Sequence, residues 1–273
     1  MHPVIFSIGP ITVYSFGVML AIAFLAAGSV TGRELGRKGL DPELASSMVL
    51  WAAVGGLVGS RILSLADDWR GFVNDPLGFV FTGAGFVFYG GLLGGFATVS
   101  LFIWRRGLPW LRVTDCIAPG LAAGQAIGRI GCQLAGDGDW GTPSSLPWAM
   151  SYRNAIIGWE TWVRENGLPA DVRVHPAPVY ETLLYGVIFF MLWATRRRPN
   201  PDGVMLWWYL LLSGAARFLV EFVRVNPKLV LGLSEAQLIS LVLATTAAVL
   251  IWRASGQAQV TTRARLGSSG PRA

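Results

Sequence analysis

The hydrophobic and polar positions alternate along this chain on the scale of whole segments. Apolar stretches near 14–32, 45–65, 79–104, 114–131, 177–195, 203–223 and 235–252 are separated by short polar connections. Each approaches the ~20 residues a helix needs to cross a bilayer, which predicts seven transmembrane helices. The fourth differs from the rest. It is short, and Gly120, Ala122, Ala123, Gly124 and Gly128 would let another helix or a ligand approach closely. It is expected to stop partway across the membrane at Gly128-Arg129-Ile130-Gly131, since non-helical backbone at that depth is tolerated beside protein or a water-filled cavity.

Lysine and arginine set the orientation. Arg33, Arg37 and Lys38 fall in the first connection, Arg105, Arg106 and Arg112 in the third, and Arg196, Arg197 and Arg198 in the fifth. Arg253, Arg263, Arg265 and Arg272 follow the last span. The N-terminus carries no lysine or arginine, the second connection carries Arg70, and the sixth carries Arg224 and Lys228. This bias puts the N-terminus outside and the C-terminus in the cytoplasm. The longest connection, 132–174, then faces outward; Pro143, Pro147, Trp148, Trp159 and Trp162 predict a compact amphipathic loop region at the headgroup level. The Gly-, Ser- and Arg-rich segment 254–273 reads as a disordered tail. The chain is thus expected to be one all-α polytopic membrane domain over 1–273, without a strong internal repeat and without a cleavable signal peptide.

Composition agrees: 53% of residues are hydrophobic and 14% charged, against roughly 25% charged in soluble domains. The net charge of +6 resides at helix flanks, so it argues for membrane topology and against nucleic-acid binding. Cys116 and Cys132 offer neither a disulfide framework nor metal-ligand spacing; no metal and no cofactor are expected.

Candidate chemistry stands where charge interrupts the apolar pattern, because ionisable groups at membrane depth are costly and usually mark working sites. Arg129 precedes a glycine-rich turn with Asp137 and Asp139, and arginine binds phosphate bidentately. Arg217 and Glu221 share a helix face at i and i+4. They either neutralise each other or form a unit in which Glu221 orients Arg217 towards an anion. Tyr89 is followed by Gly90-Gly91, which either clear space around its hydroxyl or serve helix packing. His175, Tyr180 and Glu181 stand at the outer start of the fifth span, where Glu181 needs a partner. These features predict a cavity for a phosphate or another anion.

In order and spacing, Ile8-Gly9-Pro10, Phe16-Gly17, Tyr89-Gly90-Gly91-Leu92, Gly128-Arg129-Ile130-Gly131, Gly136-Asp137-Gly138-Asp139-Trp140-Gly141, His175-Pro176, Tyr180-Glu181, Arg217-Phe218 and Glu221-Phe222 together resemble the prolipoprotein diacylglyceryl transferase family. The likeness runs from about Ile8 to Leu250. It implies a multi-pass enzyme of the bacterial inner membrane that moves the diacylglyceryl group of phosphatidylglycerol to the lipobox cysteine of a prolipoprotein signal peptide. The products would be a thioether and glycerol 1-phosphate. By position it implies that Arg129 holds the lipid phosphate, that Arg217, oriented by Glu221, contacts phosphate or leaving group, and that Asp137 or Asp139 stands where the family often has glutamate. Gly131, Cys132, Gly141, His175, Tyr180 and Glu181 would line the substrate site. The sequence departs from the family pattern at three places. Tyr89 replaces a histidine proposed as the base, and tyrosine, with an unperturbed pKa near 10, is a poor base unless an arginine lowers it. Cys132 stands for a common asparagine, and Phe16 for a common tyrosine. Rival readings are a lipid or anion transporter, an inactive relative, and an intramembrane aspartyl protease using Gly136-Asp137-Gly138-Asp139 with Asp115.

Overall fold

The computed structural model describes residues 1–9, 11–75 and 87–267. The chain is mostly helical: α1 (Ser15–Arg37), α2 (Leu44–Asp67), α3 (Trp69–Asn74), α4 (Phe88–Arg105), α5 (Trp110–Ala135), α6 (Trp159–Glu165), α7 (Ala177–Thr195), α8 (Val204–Val220) and α9 (Glu235–Gly267). The described residues also form two small hairpins, β1 (Val4–Ile8) with β2 (Ile11–Tyr14) and β3 (Lys228–Val230) with β4 (Leu233–Ser234). Among the described residues, five helices are long and apolar enough to cross a membrane: Ser15–Arg37, Leu44–Asp67, Ala177–Thr195, Val204–Val223 and Glu235–Ser255. Their outward surfaces are apolar, with Leu25, Leu57, Phe190 and Trp252 all exposed. That is the inverse of a soluble protein and what lipid requires. Part of the stretch expected as the third span, with Phe86, and Pro10 of the N-terminal motif lie outside the described residues.

The chain divides into two compact units, Gly28–Cys116 and Met1–Ala27 with Ile117–Ala273. In the first, α2 and α4 touch through glycine. A Cβ on Gly59 would collide with the carbonyl oxygen of Gly90 and come within 2.8 Å of the Gly94 Cα. The helices can pack this closely because their side chains are absent there. The glycines after Tyr89 are therefore accounted for by packing: Gly90 and Gly94 face α2. The same unit holds two buried acids at its polar end, Glu34 bonded to Arg37 and Asp115 bonded to the Lys38 Nζ at 3.1 Å.

In the second unit, α8 packs against α7 and α9. Gly214 makes the last approach possible; a Cβ there would sit 3.0 Å from the Ser240 carbonyl oxygen. Pro178 lies in the first turn of α7, where its missing N–H has no intrahelical partner to lose. The α5 helix corrects one expectation. It does not end at Gly128-Arg129-Ile130-Gly131 but runs on to Ala135, and the turn begins at Gly136, whose φ of +65° suits glycine. Gly131 packs against α1, where an added Cβ would lie 3.0 Å from the Met19 Cβ.

The 132–174 region has its own small core of Trp140, Tyr152, Trp159, Val163 and Val174. Trp140 and Trp159 meet edge to face at 5.1 Å. The Tyr152 hydroxyl donates to Gln133 Oε1 at 2.8 Å, which ties this core to the last turn of α5. The region is compact, as expected. Trp159 is spent on its interior, and Trp148 is the tryptophan left well exposed.

Candidate functional site

Four separate pieces of chain bring charge to one place. The last turns of α5 carry Arg129. The glycine turn after it carries Asp139. The start of α7 carries Glu181, and the end of α8 carries Arg217, with Glu221 in the 3-10 turn that follows. A fifth contribution was not anticipated: Arg224, read from the sequence as a topology charge, is buried in the same cluster.

Glu181 is the hub. Its Oε1 accepts from Arg217 Nη1 at 2.9 Å, and its Oε2 lies 3.0 Å from Arg129 Nε and 3.7 Å from Arg224 Nη1. Arg217 Nη2 also meets Glu221 Oε2 at 3.0 Å. Glu221 is completed by Asn226 Nδ2 at 2.6 Å and Ser234 Oγ at 2.8 Å, both donating to its Oε1. Asp139 bridges two arginines, accepting from Arg129 Nη1 at one oxygen and from Arg224 Nη2 at the other. Three arginines thus face three carboxylates in this network. Buried charge is tolerated when it is paired, and a cluster of zero formal charge meets that demand. Glu181 and Glu221 are 1% and 0% exposed, whereas Asp139 is 28% exposed.

Both readings of Arg217 and Glu221 therefore hold in part: they neutralise each other, and Glu221 also fixes the direction of the guanidinium. Spacing could have revealed Arg224. Arg217, Glu221 and Arg224 stand at i, i+4 and i+7, one face of a continued helix. What holds Arg224 is extended backbone. It pairs with Gly141, and the Thr142 N–H donates to the Val223 carbonyl at 2.7 Å. Gly141 itself donates to the His175 carbonyl at 2.9 Å. A Cβ on Gly141 would strike the Val223 carbonyl oxygen and lie 2.7 Å from the His175 Cβ. Gly141→Ala is therefore expected to cost about 1–3 kcal/mol of stability as an overpacking change, read as a lowered melting temperature in detergent. An unchanged melting temperature would refute this packing argument.

The remaining residues singled out in the sequence lie around this core. The Asp139 N–H reaches Asp137 Oδ1 at 3.4 Å, and Arg129 Nη1 lies 4.0 Å from the Cys132 sulfur. Burial, then the neighbouring charge of Asp139, hold the Asp137 carboxyl above its ordinary pKa. Burial pushes Asp139 the same way, but Arg224 and Arg129 outweigh it and hold that carboxyl below its ordinary value. Cys132, Asp137 and Asp139 bring ligand-type atoms within 4.8 Å of one another. Both Asp139 oxygens already accept from guanidinium groups, so a cation there would compete with the positive charge of two arginines.

His175 and Tyr180 form a chain with Trp148. The indole N–H can only donate, so the Tyr180 hydroxyl accepts it at 2.8 Å, and the same hydroxyl is hydrogen-bonded to His175 Nδ1 at 3.0 Å. Tyr89 belongs to the other compact unit, in the first turn of α4, 39% exposed and edge-on to Phe88 at 5.7 Å. The geometry removes one rival reading. A Gly-x-Gly-Asp protease motif should open a helix, but residues 137–140 are irregular backbone with a bend at Gly138. Asp139 is held by Arg129 and Arg224, and Asp115 by Lys38.

Comparisons with known proteins point to one family. The sequence profile described as prolipoprotein diacylglyceryl transferase matches residues 3–253. The phosphatidylglycerol–prolipoprotein diacylglyceryl transferase of Clostridium tetani is 30% identical over 243 residues, spanning 88% of this chain and 93% of that protein. The protein of the same name from Paraburkholderia phymatum is 33% identical over 285 residues, spanning 92% of each. That of Methylococcus capsulatus is 32% identical over 239 residues, spanning 85% of each.

Proposed function

Because the chain belongs to the prolipoprotein diacylglyceryl transferase family, we propose that it transfers the diacylglyceryl group of phosphatidylglycerol to the lipobox cysteine of prolipoproteins. The observation that carries this reading beyond the family match is the buried cluster of Arg129, Arg217 and Arg224 against Asp139, Glu181 and Glu221. In the reaction a sulfur–carbon bond forms to the diacylglyceryl group as its carbon–oxygen bond to phosphate breaks. The electron pair departs on the phosphate oxygen, glycerol 1-phosphate leaves, and the thiol proton is lost to a base. Negative charge grows on the leaving phosphate. Fixed guanidinium groups in a site shielded from water stabilise such charge far better than solvent does.

In this reading Arg129 holds the lipid phosphate and Arg217, directed by Glu221, meets the phosphate or the leaving group. Asp137, Gly131, Cys132, Gly141, His175 and Tyr180 shape the surroundings. The thiol, with an unperturbed pKa near 8.5, is drawn towards thiolate by the positive arginine face. The chain forms one catalytic domain in the bacterial inner membrane and crosses it seven times, N-terminus outside. Support comes from the five apolar helices, from α4 and α5 as the two further crossings, and from the Lys and Arg bias of the connections.

The test is mass spectrometry of a lipobox peptide incubated with purified protein and phosphatidylglycerol. A gain of one diacylglyceryl unit on cysteine is expected. No gain from folded protein would overturn the reading in favour of an inactive relative or a transporter, which makes no covalent product. Tyr89→Phe then tests the third-span motif. A hydroxyl that takes part in general acid–base chemistry contributes about 10²-fold or more, so turnover should fall by that order. Near-normal turnover would remove Tyr89 from the chemistry.

A further inference from the structure

We infer that the carboxylate of Asp139 occupies the seat of the substrate phosphate, between Arg129 and Arg224, and that lipid binding requires this carboxylate to leave. The inference rests on the transferase reading above and adds to it a competitor built into the chain.

Four observations carry it. First, the two oxygens of Asp139 accept from two different arginines, Arg129 and Arg224. The non-bridging oxygens of a phosphodiester present the same pair of acceptors. Second, Asp139 is the accessible member of the cluster at 28% exposure, while Glu181 and Glu221 are buried and have their own hydrogen-bonded partners in Arg217, Asn226 and Ser234. Of the three carboxylates that pair with these arginines, an arriving anion therefore meets Asp139 first. Third, Arg224 is 6% exposed, yet its Nε and Nη1 make no hydrogen bond. These two nitrogens stand 3.7 Å from Glu221 Oε2 and Glu181 Oε2, respectively, paired in charge but beyond hydrogen-bond distance. A guanidinium buried with donors so loosely met is costly and can accept a larger anion than one carboxylate. Fourth, Gly136 and Gly138 precede Asp139 with φ of +65° and +92°, so the chain that carries it can turn in ways other residues resist.

Charge makes the two anions alternatives. With Asp139 in place the cluster sums to zero. A phosphodiester added beside it would leave a buried net negative charge, whereas exchange of one anion for the other keeps the balance. The return of Asp139 after reaction then helps to expel glycerol 1-phosphate. Asp139 thus sets the affinity for the lipid headgroup and the release of product.

The experiment compares wild type, Asp139→Asn and Arg224→Gln as full-length protein in detergent. It reads KM for phosphatidylglycerol, inhibition by glycerol 1-phosphate, and the rise of melting temperature with glycerol 1-phosphate, which needs no turnover. Asp139→Asn is expected to lower KM and the inhibition constant by about tenfold, the size of one competing charge-assisted hydrogen bond, and to lower kcat through slower product release. Arg224→Gln is expected to weaken inhibition by a similar factor. A raised KM and a smaller melting shift in Asp139→Asn would overturn the inference and make Asp139 a support for its arginines. Should that variant not fold, unchanged inhibition in Arg224→Gln overturns it equally. A wild type that makes no lipidated peptide but still binds glycerol 1-phosphate more weakly than Asp139→Asn would refute the transferase reading and leave the seat in place.

Discussion

Arg129→Ala is expected to reduce diacylglyceryl transfer by at least about 10²-fold, the loss seen when one preorganised donor is removed from developing negative charge. The fold should survive at a lowered melting temperature, since two arginines then face three carboxylates but the vacated position is 22% exposed and open to water. Alanine is the best helix former, and position 129 lies inside α5, not in the turn. Glu181 keeps Arg217 at 2.9 Å, and Asp139 keeps Arg224, so neither carboxylate is left bare. Arg129→Lys should also be impaired. The Arg129 side chain reaches Asp139 through Nη1 and Glu181 through Nε, and a lysine ammonium cannot reproduce that fork. Mass spectrometry of the lipobox peptide provides the readout, with the melting temperature as the folding control. Full activity in the alanine variant would end the assignment of Arg129 to the phosphate.

The helices were legible in the sequence because lipid demands what a hydropathy pattern records. Five segments appear as apolar helices close to their expected limits, and the fifth span begins at Ala177 as read. The pattern failed where backbone preference and packing disagree. Gly128 and Gly131 each cost a helix about 1 kcal/mol relative to alanine, so the motif read as a turn. Contact between Gly131 and α1 outweighs that cost, and α5 continues to Ala135. This shift changes how the site is built, because Arg129 projects from a rigid helix and only Asp137 and Asp139 ride on the turn.

Of the cluster, Arg129, Asp139, Glu181, Arg217 and Glu221 could be found because each breaks an apolar run or follows one closely. Arg224 could not be found that way. It lies in a short connection where arginine is ordinary, and its burial depends on a backbone pairing with Gly141, more than eighty residues earlier in the chain. Likewise Gly90 and Gly94 say nothing in the sequence about which neighbour they clear. Only the partner glycines Gly55 and Gly59 on α2 decide between space for Tyr89 and close helix packing.

Glu181→Ala should be the most damaging single change to the fold at this site. Both oxygens of Glu181 face guanidinium groups, with Arg217 on one side and Arg129 and Arg224 on the other, and the side chain is 1% exposed. Without it, three arginines remain against Asp139 and Glu221, and the cluster carries a net positive charge away from water. Removing one partner of a buried ion pair costs about 3–5 kcal/mol, enough to consume much of the stability of an ordinary domain. Glu181→Gln keeps the shape, yet its amide N–H2 must point at a guanidinium, so it should recover only part of the loss. The diagnostic measurement is the melting temperature of the double variant Glu181→Ala/Arg217→Leu. If Glu181 acts by balancing charge, removing Arg217 as well restores neutrality, and the double variant should melt no lower than Glu181→Ala alone, a clear departure from additivity. Additive losses would mean that the two residues act separately, and the hub assigned to Glu181 would fall.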